Sequence, residues 1–210
     1  GEIIVIPTGI EEKDFQNPAR HLIRQRFNIR NEDVLLLLVS RITEEKNVEF
    51  VFHSLTDLLG KDPKVKLLVV GSGYLVPKLK KFVADEKISD KVIFLGIAER
   101  GELKNYYAAG DIFVYASKSE TQGMVFSEAM YMGLPIVAVD APGASSLVIY
   151  NRTGILTKED KEEFATAVKK LISDKELRLK FSEEAKKVAR EKYTSRVCAE
   201  KMLEVYKKAI

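Results

Sequence analysis

Short, unbroken apolar runs alternate with amphipathic stretches along most of this chain, and that alternation restricts the fold more than any other feature. The runs are Ile3–Ile6, Val34–Val39, Val65–Val70, Val92–Leu95, Ile112–Tyr115 and Pro135–Val139, with a weaker one at Gly154–Leu156. A strand with one face in water alternates apolar and polar residues. Runs without that alternation suit strands covered on both faces. Between them the spacing predicts helices over Val48–Leu59, Leu75–Glu86, Leu103–Ala109 and Glu128–Met132. In the first of these, Phe50, Val51, Leu55, Leu58 and Leu59 recur near helical spacing. Strand and helix in this order imply right-handed βαβ units, so the fold class is α/β: a doubly wound, mostly parallel sheet with helices on both faces. From Lys161 onward only helical patterns remain. Phe164, Val168, Leu171 and Ile172 form one stripe, a second helix follows Asp174, and a third covers residues 194–210. There is no internal repeat and no low-complexity linker, so the expectation is one domain over residues 1–210 with a helical tail.

Composition narrows the chemistry. Lys and Arg number 34 against 31 Asp and Glu, a net charge of +3 that is too small to predict nucleic-acid binding. Cys198 is the lone cysteine, which excludes a disulfide framework and a thiolate metal cage, and no metal site is expected. With His21 and His53 as the only imidazoles, a Ser-His-Asp system is not expected either. Both read as surface or packing residues on helices, and Cys198 as a small hydrophobe in the last helix. Catalysis, if the chain performs any, must therefore run on carboxylates, cations and backbone amides, or borrow groups from elsewhere. No apolar run approaches the roughly 20 residues of a spanning helix. The chain opens on Gly1 rather than Met, so the expectation is a fragment of a longer protein.

In doubly wound sheets, ligands bind beyond the carboxyl ends of the strands. After Val34–Val39 come Arg41 and Lys46, two cations that suit a diphosphate. The plainer reading is a solvated turn with those charges paired to Glu44 and Glu45. After Ile112–Tyr115 come Glu120, then Gly123, Met124 and Val125, then Glu128. A helix starting near Gly123 would aim free N–H groups at the sheet edge, a ready anion site, while the carboxylates suit sugar or ribose hydroxyls. Alternatively, Glu120 is a loop charge and Glu128 a helix-dipole partner. Gly71 and Gly73 after Val65–Val70 would let a ligand approach the backbone, but Val76 stands where a dinucleotide fingerprint needs glycine. Pro142-Gly143-Ala144-Ser145-Ser146 is either part of the same rim or a plain turn.

Together these segments resemble the carboxyl-terminal domain of retaining GT-B glycosyltransferases of family 4. The resemblance runs from Val5-Ile6-Pro7-Thr8-Gly9-Ile10, through Ser40-Arg41 and Glu45-Lys46-Asn47, to Glu120, Glu128-Ala129-Met130 and Gly133-Leu134-Pro135. It implies a Rossmann-like half of a GT-B fold, with residues 1–10 as the interdomain strand. It also implies a nucleotide-sugar donor, a missing amino-terminal acceptor domain of the same protein, and no cofactor or metal. By the same resemblance, Arg41 and Lys46 grip the donor diphosphate, and Glu120 lies at the sugar and its departing phosphate. Glu128 holds the ribose, the amides of Gly123, Met124 and Val125 bind phosphate and sugar hydroxyls, and Gly71, Gly73, Gly96 and Ile97 line the base pocket.

Glu120-Thr121-Gln122-Gly123 is similar to the diacylglycerol glucosyltransferase-like branch, which makes membrane glycolipids from a UDP-sugar. That implies a cytoplasmic parent with peripheral association at the inner face of the membrane. Where the family often has an acidic residue after Pro142-Gly143, this chain has Ser145-Ser146-Leu147. Two other expectations stay open: a GT-B sugar-nucleotide epimerase domain, and a non-catalytic doubly wound interaction module.

Overall fold

The six apolar runs from Val34 onward each become a strand, the one at Val65–Val70 with Lys66 inside it. In the computed structural model, which describes residues 3–99 and 101–209, these are β1 (Val34–Val39), β2 (Val65–Val70), β3 (Val92–Gly96), β4 (Ile112–Tyr115), β5 (Ile136–Val139) and β6 (Gly154–Thr157). They form one sheet in the order β3-β2-β1-β4-β5-β6, every neighbouring pair parallel. Val34 is in register with Val65 on one side of β1, and Leu36 with Ile112 on the other. Every residue of β1 and of β4 is buried, as strands covered on both faces must be.

Nine α-helices cover the sheet among the described residues: α1 (Arg20–Arg26), α2 (Val48–Lys61), α3 (Val76–Asp85), α4 (Leu103–Ala109), α5 (Met124–Tyr131), α6 (Pro142–Leu147), α7 (Lys161–Ser173), α8 (Lys175–Lys192) and α9 (Ser195–Ala209). Successive strand side chains point to opposite faces, so two cores form. Leu36, Leu38, Leu67, Val69 and Val114 pack with Val51 and Leu55 of α2, Leu79 of α3 and Phe164 of α7. Leu35, Leu37, Phe113 and Tyr115 pack on the other face with Ile23 of α1, Tyr107 of α4, Phe126 of α5 and Val188 of α8. Asp160 and Asp174 cap α7 and α8, accepting from the backbone N–H of Glu163 and Leu177 at 2.8 and 2.9 Å.

Two elements differ from the sequence expectation. Ile3–Ile6 forms no strand. Ile3 and Val5 stand in solvent, and the segment is tied down at Ile10, by an isolated bridge to Thr194 with Ile10 N–H donating to the Tyr193 carbonyl at 2.8 Å. Apolar character alone makes no strand where no neighbouring edge offers hydrogen bonds. The helix expected over Glu128–Met132 begins earlier, at Met124, because Phe126, Ala129 and Met130 supply the buried stripe. Cys198 is buried in α9, and the His53 ring meets the Phe82 ring edge-on at 4.6 Å, both packing roles as expected. Among the described residues no helix is long and apolar enough to cross a membrane.

Candidate functional site

Strands β1 and β4 are neighbours, but the chain leaves them in opposite directions. After β1 it enters α2 on one face, and after β4 it enters α5 on the other. A crevice opens at the carboxyl ends of such a strand pair, the switch point where ligands of doubly wound sheets bind. Lys46 comes from the first loop and Glu120 from the second, and they meet there. The Lys46 ammonium donates to Glu120 Oε1 at 2.6 Å, with both side chains largely buried.

Two further contacts bind the loops together. Asn47, held in the left-handed region at φ 51°, donates to the Glu159 carboxylate at 2.7 Å. Lys118 donates to both oxygens of the same carboxylate, at 3.0 and 2.8 Å. The hydrogen bonds from Lys118 and then from Asn47 hold Glu159 below the usual carboxylate range.

Arg41 sits differently. Its exposed guanidinium pairs with Glu45 one turn along the same loop, so the two cations do not converge on one point. The plainer sequence reading describes Arg41 here, whereas Lys46 turns away from its loop neighbours and pairs across the crevice.

Glu120 is the electrostatic centre of the site. Burial pushes its carboxyl up, but hydrogen bonds from Lys46 and Tyr115 and the Lys46 charge outweigh that and hold it below the usual range. It is therefore an anion at neutral pH. Glu120 also rests on backbone: a Cβ built on Gly143 would lie 2.3 Å from Glu120 Cβ and 2.8 Å from its carbonyl oxygen. The Pro142–Ser146 stretch is thus both the helix α6 and a wall of the rim. We expect Gly143→Ala to destabilise the fold by about 1–3 kcal/mol through overpacking. For a chain of this size that lowers Tm by roughly 2–4 °C per kcal/mol. An unchanged Tm by calorimetry would show that the Glu120 loop yields freely.

Behind Glu120, Gly123 adopts φ 60° and starts α5, and no side chain caps that helix. The Phe126 N–H donates to the Gly123 carbonyl at 2.9 Å, which leaves the N–H groups of Met124 and Val125 as those of the first turn without an intrahelical acceptor. Glu128, one turn further, accepts from the Tyr107 hydroxyl at 2.8 Å and borders a cavity of about 120 Å³ shared with Gly9, Asp14 and Lys104. Burial first, and Glu128 second, raise the proton affinity of Tyr107, so that hydroxyl stays a donor.

Gly71, Gly73 and Gly96 line the next stretch of the rim, and the first two have a packing reason to be glycine. A Cβ on Gly71 would lie 1.8 Å from the Ser40 carbonyl oxygen, and one on Gly73 would lie 2.2 Å from that of Ile42. Backbone hydrogen bonds lace these loops together: Ile42 N–H to the Ser72 carbonyl at 2.9 Å and Gly71 N–H to that of Gly96 at 2.7 Å. Ile97 stands exposed beside Gly96. The structure thus brings Lys46, Glu120 and the start of α5 together, with Glu128 one turn along, and places Gly71, Gly73, Gly96 and Ile97 on an adjoining edge.

Sequence reasoning missed Tyr115, Tyr107 and Glu159. Tyr115 was legible only as the end of an apolar run. The available signal is chemical: a buried tyrosine keeps a hydroxyl that needs a partner, and the carboxyl end of a strand lies at the rim.

Residues 19–188 match the family described as glycosyl transferases group 1. The chain belongs to that family. Over 157 residues it is 38% identical to an alpha-monoglucosyldiacylglycerol synthase of Streptococcus pneumoniae, covering 72% of this chain and 36% of that protein. Over 201 residues it is 31% identical to a sulfoquinovosyl transferase of Arabidopsis thaliana, covering 92% of this chain and 38% of that one. Among solved structures, Anabaena HepE in complex with UDP superposes with a TM-score of 0.86 at 23% identity, over 98% of this chain and 57% of HepE. The fold is that of the carboxyl-terminal half of GT-B glycosyltransferases. The chain spans about a third to a half of the relatives it matches first, between 36% and 51% of their lengths.

Proposed function

We propose that this group 1 glycosyltransferase chain is the donor-binding half of a retaining enzyme that moves a hexose from a UDP- or GDP-sugar to a lipid or glycan acceptor. One observation carries the reading: a largely buried ammonium, Lys46, pairs with Glu120, three residues before Gly123 and the uncapped start of α5, at the switch point of the sheet. A diphosphate placed there meets a cation and free N–H groups at once. Arg41, released from Glu45, adds a second, more exposed cation at the same loop.

The chemistry follows from charge. The sugar–phosphate bond breaks through an oxocarbenium-like state, and negative charge grows on the departing phosphate. Fixed donors aimed at that charge lower the barrier without reorganising. The acceptor oxygen then bonds to the anomeric carbon on the face the phosphate leaves, and its proton passes to a phosphate oxygen. Glu120, an anion, faces the positive charge on the sugar ring and stabilises it. Glu128 accepts hydrogen bonds from the ribose, and the Gly71–Gly73 and Gly96–Ile97 edge lies along the base. This scheme calls for neither cofactor nor metal.

The acceptor side belongs to the missing amino-terminal domain, so this chain alone binds donor without transferring sugar. Similarity to two alpha-monoglucosyldiacylglycerol synthases supports a lipid acceptor and, with it, a cytoplasmic parent at the inner face of a membrane. Calorimetric titration with UDP, UDP-glucose and GDP-mannose tests the reading. We expect a saturable isotherm for one nucleotide series, and no heat with any of the three would overturn the assignment.

A further inference from the structure

Two donors converge on one oxygen of Glu120. The Lys46 ammonium and the Tyr115 hydroxyl each lie 2.6 Å from Oε1. Tyr115 is the last residue of β4 and its ring is buried between others. It stacks on Phe113 at 5.7 Å and 17°, and meets Phe126 edge-on at 5.1 Å and 78°. A ring held on two sides points its hydroxyl in one direction, and that direction is Glu120. Phe113 and Phe126 fill the same core without a hydroxyl, so packing alone does not call for tyrosine at this position.

Resting on the donor-binding reading above, the difficulty is one of competition. The Lys46 ammonium has three N–H donors, but a diphosphate carries more charge than a carboxylate and draws the ammonium away from Glu120. If Lys46 swings to the diphosphate, a largely buried carboxylate loses the cation bonded to it, which is costly unless other donors remain. Ser117 is a partial substitute only, since its hydroxyl also donates to the Glu45 carbonyl at 3.3 Å. We propose that Tyr115 is a positioning residue whose hydroxyl keeps Glu120 in place while Lys46 passes from that carboxylate to the donor diphosphate.

The phenol suits this role. Burial first, then the bond to Glu120, raise its proton affinity far above the ordinary value, so it donates throughout the neutral range. The charged groups near it, Arg41 and Glu45, act on it less than Glu120 does.

The test is Tyr115→Phe, alone and combined with Glu120→Gln, with UDP affinity measured by calorimetry and the Glu120 carboxyl followed by carbon-13 NMR across pH. Losing a hydrogen bond to a charged group should weaken UDP binding roughly tenfold in the single variant. In the Glu120→Gln background the same change should cost less than about twofold, since the neutral amide no longer needs the phenol's hydrogen bond in the same way. The NMR midpoint of Glu120 should rise in Tyr115→Phe, because the hydroxyl favours the ionised form. A merely structural tyrosine would shift stability equally in both backgrounds and leave that midpoint where it is. Wild-type binding of UDP with equal affinity in Tyr115→Phe would overturn the hand-off alone. Failure of the wild type to bind UDP would overturn the donor-binding reading, and the hand-off with it.

Discussion

Lys46→Ala is expected to weaken UDP binding by roughly tenfold to a hundredfold, the largest effect of any single substitution at the site. Lys46 donates to Glu120 at 2.6 Å and is largely buried, so it is already desolvated and aimed into the crevice. A hydrogen bond between charged groups contributes about 1.5–3 kcal/mol, and about 1.4 kcal/mol is tenfold in affinity. The substitution also leaves Glu120 without its cation, and an anion left there repels phosphate. Arg41→Ala should cost less, because its guanidinium is exposed, screened and must first leave Glu45. Calorimetry with UDP on both variants decides the matter. Equal affinity in wild type and Lys46→Ala would remove Lys46 from the diphosphate site, and a larger loss in Arg41→Ala would reverse their ranking.

The second large effect is on stability. Gly71→Ala is expected to destabilise the fold by about 3 kcal/mol or more. Two costs add at this position: a backbone φ of +133°, which residues with a side chain rarely adopt, and a Cβ 1.8 Å from the Ser40 carbonyl oxygen. Backbone strain of this kind costs about 1–3 kcal/mol, and forcing apart packed backbone costs about as much again. The expected fall in Tm is at least about 6 °C. Gly96→Ala separates the two terms. Its φ is +85°, yet nothing lies within 4 Å of a Cβ there, so it bears the strain without the clash. Equal losses at Gly71 and Gly96 in thermal unfolding would show that the approach to Ser40 relaxes and that φ alone matters.

Much of the fold was legible in the residues themselves. Six apolar runs from Val34 to Leu156 became six parallel strands within a residue or so, because a strand covered on both faces is built almost wholly of apolar side chains, Lys66 in β2 being an exception. Ile3–Ile6 has the same composition and forms no strand, since pairing depends on a neighbouring edge that composition does not reveal. At the site, the residue types were legible and their partners were not. Arg41 and Lys46 lie in one loop and look alike in sequence, yet one pairs with Glu45 in solvent and the other crosses to Glu120.

What the sequence determined alone is periodic and local: where strands and helices fall, that the sheet is parallel and doubly wound, and which loops reach its carboxyl edge. The tertiary structure decided which groups meet across that edge: Lys46 and Tyr115 on one oxygen of Glu120, Tyr107 on Glu128, and Gly143 against the Glu120 backbone. The division has a physical cause. Hydrophobic periodicity is a property of neighbours along the chain, whereas a hydrogen bond between residues 74 positions apart, as for Lys46 and Glu120, exists only once the sheet order has brought β1 beside β4.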